Sequence, residues 1–290
     1  MRKQLLLMLM PFILLTGCAS SPTSPRHDVA VSFDAERIAY SVTGRGKTAL
    51  VFVHGWSCDG RYWQEQVSEF QRDYRVITLD LAGHGHSSLT RQDLSMPSFA
   101  QDVKAVLDRE GIDKAVLVGH SMGGAVIAEA ARLMPEKVIG IIGVDTLHNV
   151  AEQIPQSVID EMTQPFESDF KVATQAFVSG MFPAATDRQL TDWVKEDMSS
   201  APRDTALSAF RHYLEQQASG KTAAIFEEIT IPVISINSRL WPTAPEENSQ
   251  HIRNYRLFYI EETGHFPMLE APQAFNSILR KSLESMPSAL

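Results

Sequence analysis

Val116-Leu117-Val118-Gly119-His120-Ser121-Met122-Gly123-Gly124, followed at once by the helix-favouring residues 125–134, decides the fold. An apolar, β-branched run enters Gly-x-Ser-x-Gly and leaves as a helix, so the segment reads as strand, tight turn and helix with Ser121 at the apex. Gly119 and Gly123 lack Cβ atoms, which lets strand and helix approach closely while Ser121 takes a strained backbone that pushes its hydroxyl outward. The start of the helix also offers the backbone N–H of Met122 to an oxyanion. Ser121 is therefore a candidate nucleophile.

Working outward, residues 29–33 and 37–42 alternate as an opening hairpin. Residues 49–53 (Ala-Leu-Val-Phe-Val) form a continuous apolar run ending in His54-Gly55, as in a strand buried on both faces. A helix fits 62–70. Residues 75–80 read as a strand closed by Gly83-His84-Gly85-His86-Ser87, and 98–110 as an amphipathic helix with Phe99, Val103, Val106 and Leu107 on one stripe. Downstream come strands over 138–144, 231–236 and 257–260, then a closing helix over 272–283. This alternation predicts an α/β fold: a mostly parallel sheet, right-handed crossovers, helices on both faces and chemistry at the carboxyl ends of the strands. His54, Asp80, Ser121, Asp145 and His265 all fall at such ends or just beyond. Residues 147–222 break the pattern, with helix-like pieces carrying Phe166, Phe170, Phe177, Trp193 and Phe210. They predict a helical lid inserted between two core segments, 29–146 and 223–290.

His54-Gly55-Trp56, Asp80 to Ser87, the serine elbow and Gly264-His265-Phe266, in this order, resemble the α/β-hydrolase superfamily from about residue 29 to 285. The resemblance implies a serine hydrolase cleaving carboxylic esters through an acyl-enzyme on Ser121, with His265 as base. It implies backbone N–H groups of Trp56 and Met122 as the oxyanion hole. Ser at the elbow argues against haloalkane dehalogenases and epoxide hydrolases, whose fold relatives carry Asp there. A C–C bond hydrolase, a cofactor-free perhydrolase and a non-catalytic binding protein remain alternatives on the same scaffold.

The acid departs from the commonest pattern. Most relatives place an aspartate soon after the strand predicted at 231–236, where this chain reads Asn237-Ser238-Arg239-Leu240-Trp241-Pro242-Thr243. Asp145, one strand earlier, keeps the order Ser, Asp, His and is the leading candidate; Glu246 is the other. His120 neighbours the serine but should point away, in a structural or pocket-wall role. Asp80, His84 and His86, with His54, could be drawn as metal ligands, yet they match the family's structural loop. No metal or cofactor is expected, and Cys58 reads as a small buried hydrophobe.

The chain opens Met1-Arg2-Lys3, runs apolar over 5–15 and reaches Leu15-Thr16-Gly17-Cys18, which describes an export signal over 1–17. Leu-Thr-Gly-Cys resembles the lipobox of bacterial lipoproteins, which implies lipid attachment at Cys18. Ala19 after it resembles an outer-membrane address facing the periplasm. Residues 18–28, rich in Ser and Pro, read as a flexible tether. With Cys18 lipidated, Cys58 has no disulfide partner, and the fold must rest on burial. The formal charge is −9, and losing Arg2 and Lys3 takes the exported part to −11. That acidity, without any basic run, argues against nucleic-acid binding. The expected partners are a small-molecule ester and, through the lipid, a membrane.

Overall fold

Aliphatic runs too short for helices and flanked by turns form the strands of a single sheet. The computed structural model describes residues 24–286, so the expected signal over 1–17 and Cys18 lie outside the described residues. The strands are β1 (Arg26–Val31), β2 (Arg37–Thr43), β3 (Ala49–Val53), β4 (Arg75–Leu79), β5 (Ala115–His120), β6 (Val138–Val144), β7 (Val233–Asn237) and β8 (Tyr255–Tyr259). Their spatial order is β1-β2-β4-β3-β5-β6-β7-β8. From β4 to β8 every neighbouring pair is parallel; β2 runs antiparallel to both β1 and β4. Every residue of β3 and β5 is buried, as strands covered on both faces require.

Helices α1 (Gln64–Phe70), α2 (Met96–Arg109) and α3 (Met122–Leu133) cross between the early strands. Beyond β6 follow α4 (Gln156–Ser168), α5 (Phe170–Ser179), α6 (Arg188–Ser199), α7 (Arg203–Ala218) and α8 (Lys221–Glu228). The chain closes with α9 (Pro245–His251), α10 (Pro267–Glu270) and α11 (Pro272–Glu284). Helices α2, α3 and α8 pack in series as one layer, and α1 with α11 forms the other. The sheet between them carries the core predicted from the alternation.

The helices α4–α7 make the expected insertion after β6, but the division drawn between 222 and 223 falls inside α8, which packs on α3. Asp169 and Asp187 cap α5 and α6 by accepting from Val172 N–H and Leu190 N–H. The insertion is tied to the core by an aromatic cluster centred on Trp56. Its ring lies 5.0 Å from that of Phe210 and 5.4 Å from that of Phe166, and its Nε1–H donates to the Ala206 carbonyl at 2.7 Å.

Other boundaries shift as well, and the strand expected over 257–260 is observed at Tyr255–Tyr259. The tether expected over 18–28 is too long, because Arg26, His27 and Asp28 already ladder with Val42, Ser41 and Tyr40. An edge strand gains its backbone bonds without needing apolar alternation, and Arg26 is further fixed by Asp28 and Glu110. The helix expected over 62–70 begins as a 3₁₀ turn, Gly60–Trp63, capped by Asp59, before α1. The strand expected from 231 starts at Val233, since Pro232 has no N–H to give; its carbonyl instead accepts from Ile141 N–H at 3.0 Å.

Candidate active site

Strand β5 delivers Ser121 at its carboxyl end with φ 52° and ψ −120°, a backbone that L-residues rarely adopt. The turn exists only because its flanks are bare. A Cβ on Gly119 would sit 2.3 Å from the Gly123 carbonyl oxygen, and one on Gly123 would sit 2.6 Å from that of His54. The strained residue is pinned from below, where Ser121 N–H donates to the Val144 carbonyl of β6 at 3.0 Å. Met122 opens α3, so its N–H has no acceptor within the helix. Trp56 and Met122 line the same cavity as Ser121.

Strand β6 delivers Asp145 in an equally unusual conformation, φ 43°, zipped to β7 by its N–H on the Ile236 carbonyl at 3.0 Å. Its carboxylate is fully buried and doubly engaged. Oδ2 meets His265 Nδ1 at 2.6 Å, and Oδ1 accepts from Ser238 N–H at 2.7 Å. Burial alone would raise the pKa of this carboxyl, but the hydrogen bond and charge of His265, with the Ser238 N–H, outweigh it and hold the group below the ordinary range. With its Nδ1–H donated to Asp145, the imidazole presents Nε2 as a proton acceptor.

Ser121 and His265 share the cavity without a hydrogen bond between them, as unliganded sites often do before substrate draws the groups together. Glu246 lies exposed on α9 and does not line the cavity. Of the two candidate acids, only Asp145 meets the imidazole.

Two residues support the His265 loop: His120, read from the sequence as structural or pocket-wall, and Glu270, which escaped the sequence reading. His120 Nε2 donates to the His265 carbonyl at 2.7 Å; burial, with the neighbouring His265, pushes the His120 pKa down to about 3, so it stays a neutral donor. Glu270 accepts from Gly264 N–H at 2.9 Å and Phe266 N–H at 3.1 Å, bracketing His265, and from Thr186 Oγ1 of the insertion at 2.9 Å. The one sequence signal was position: His120 beside the serine and Glu270 five residues after His265. Trp241, near the usual acid position, packs edge-on against the His265 ring at 4.8 Å.

The other candidates hold backbone. His54 Nε2 accepts from Leu81 N–H at 3.0 Å, and Asp80 accepts from Gly60 N–H and His86 N–H, each at 2.8 Å. Burial pushes the His84 imidazole down to about 3. Among the described residues, no group of three or more His, Cys, Asp or Glu side chains is arranged to hold a metal ion. Cys58 is a buried free thiol whose Sγ–H donates to the Trp56 carbonyl, and burial raises its pKa far above the ordinary value.

These groups open on a cavity of about 770 Å³, within the range that takes small ligands. Its far walls come from the insertion: Val158, Met162, Phe177, Met198, Phe210 and Leu214.

A strained serine elbow, a buried Asp–His pair and an eight-stranded, mostly parallel sheet define an α/β hydrolase. The family model described as the alpha/beta hydrolase family matches residues 50–278. The chain belongs to that family and is a hydrolase. It is similar to a pimeloyl-(acyl-carrier protein) methyl ester esterase of Aliivibrio fischeri, 28% identical over 247 residues, which cover 81% of this chain and 93% of that one. Epoxide hydrolase 4 of Homo sapiens is 33% identical over 136 residues, covering 46% of this chain and 38% of its own. Among solved structures, the esterase EaEST from Exiguobacterium antarcticum shares the fold with a TM-score of 0.79 at 18% identity, covering 89% of this chain and 99% of that one.

Proposed function

We propose that the chain hydrolyses carboxylic esters by way of an acyl-enzyme on Ser121. The observation that carries this reading is the 2.6 Å contact of His265 Nδ1 with the buried Asp145 carboxylate, facing a cavity that Ser121 also lines. Ser121 Oγ attacks the ester carbonyl as His265 Nε2 takes its proton, and Asp145 steadies the imidazolium that forms. The N–H groups of Trp56 and Met122 receive the charge that develops on the carbonyl oxygen. His265 then hands its proton to the departing alkoxide, and a water molecule activated by the same imidazole releases the acid. The named esterase activity of the Aliivibrio relative supports this class of reaction. The serine at position 121 sets the chain apart from the Asp-elbow chemistry of epoxide opening. Replacing Ser121 with Ala should lower kcat on p-nitrophenyl esters by at least about 10⁴-fold with the melting temperature kept. Turnover within tenfold of wild type would remove the assigned nucleophile.

The same proposal includes anchoring through Cys18. Strand β1 runs parallel to β3–β8, so the chain enters at the amino ends of those strands, and Ser121 sits at their carboxyl ends. A lipid on Cys18 would therefore tether the protein by the end opposite its mouth, leaving the site open to dissolved esters. Radiolabelled palmitate should enter the wild-type chain in bacterial cells, and Cys18→Ser should abolish labelling and release the protein from the membrane fraction. Equal labelling of both would rule out this attachment site.

A further inference from the structure

The charged groups around the cavity share one sign. Among the described residues that line it there is no lysine or arginine, and the carboxylates are Asp145 and Glu152. Asp145 is already engaged by His265 and Ser238. Glu152 follows the β6 turn, is exposed, and is in no ion pair among the described residues. Burial raises the Tyr213 phenol above its ordinary range, and the carboxylates of Glu152 and Asp145 push it the same way. The other cavity-lining imidazoles, His120 and His148, are lowered by burial and add no opposing positive charge near neutral pH. Tyr213, Trp241 and Phe210 line the same cavity as Glu152, and the faces of such rings carry negative quadrupoles that attract cations and not anions.

We infer that Glu152 makes this site select by charge, favouring esters that carry a cationic group over neutral isosteres and excluding esters that carry a second carboxylate. The inference rests on the ester-hydrolase reading and names its substrate class. An exposed carboxylate a few ångströms from a bound ammonium group acts through a dielectric close to that of water, which corresponds to about a three- to tenfold preference. Salt should weaken it, since the Debye length falls to about 3 Å at 1 M.

Two pairs of esters that differ by exchanging a carbon for a nitrogen cation test this. One pair is 4-nitrophenyl 4-(trimethylammonio)butanoate and 4-nitrophenyl 5,5-dimethylhexanoate; the other is choline butanoate and 3,3-dimethylbutyl butanoate. The readout is the cation-to-neutral ratio of kcat/KM, compared between wild type and Glu152→Gln so that intrinsic reactivity cancels. In at least one pair this ratio should fall about three- to tenfold in Glu152→Gln and at 1 M salt, and stay near wild type in Glu152→Asp. The neutral esters should be unaffected, and 4-nitrophenyl glutarate should be the poorest substrate until Glu152→Lys improves it. Ratios unchanged by Glu152→Gln in both pairs, or glutarate turned over as fast as the neutral ester by wild type, would overturn the inference. If wild type hydrolysed none of these esters, the ester-hydrolase reading would fail instead. Competitive binding of the same compounds to Ser121→Ala would then decide the charge preference by itself.

Discussion

The turns that follow β6 and β7 lie side by side, and they divide one task between them. The β6 turn is strained, with Asp145 at φ 43° and Leu147 at φ 55°, and it carries the buried acid. The β7 turn has no left-handed residue and no carboxylate until α9, yet it supplies the donors that hold its neighbour. Ser238 N–H fixes Asp145 Oδ1 at 2.7 Å, and Asn237 grips Thr146 at both its N–H and its carbonyl. Asn248 of α9 does the same one step further on, accepting from Val150 N–H at 2.8 Å and donating to the Leu147 carbonyl at 2.7 Å. Each left-handed residue costs about 1–3 kcal/mol, a strain that persists only where the surroundings over-determine it. In the proposed triad the acid sits one strand away from the place expected for most relatives, and the β7 turn is its clamp.

The sharpest way to break this contrast is to neutralise each candidate acid. Asp145→Asn should lower kcat by about 10⁴-fold, because the amide favours the wrong tautomer of His265 while the fold survives. Glu246→Gln, on the exposed side of α9, should change kcat by less than about twofold. Equal losses in the two variants would mean that the β7 side still supplies the acid.

A second test removes the clamp and leaves the acid. Asn248→Ala strands the Val150 N–H and the Leu147 carbonyl without partners, at about 1–3 kcal/mol each. Thermal unfolding should report a melting temperature lower by about 5–10 °C. An unchanged melting temperature would show that the β6 turn holds its shape unaided.

The smallest effect is a matter of pH. The Asp145 carboxyl is depressed in the folded state, so its ionisation contributes stability that is fully present above the unfolded value of about 3.9 and is lost as pH falls through the lower folded value. The melting-temperature gap between wild type and Asp145→Asn should stay constant above about pH 5 and narrow below about pH 4. A gap that narrows instead between pH 6 and 8 would contradict the assigned direction.

What could be read from the residues follows the same divide. Strands β3 and β6 and the serine elbow were legible to the residue, because runs buried on both faces and obligatory glycines leave few alternatives. Asp145 was legible as a strand-end carboxylate, but that it and not Glu246 meets the His265 ring is visible only in the structure. β1 was cut short because Arg26, His27 and Asp28 are polar, and an edge ladder is written in backbone bonds instead of side-chain pattern. Glu270 was missed, and the partner of His120, expected only as a structural or pocket-wall residue, went unseen for a related reason. Each acts on main-chain groups of the His265 loop, a role that no motif records.

The alcohol, imidazole and carboxylate are claimed to work as one unit, and covalent labelling by a fluorophosphonate, read by intact mass, addresses that claim most directly. Wild type should gain one adduct, mapped to Ser121, with the rate cut by orders of magnitude in Asp145→Asn and the adduct absent in Ser121→Ala. Labelling of Asp145→Asn at the wild-type rate, or an adduct that survives in Ser121→Ala, would contradict the account.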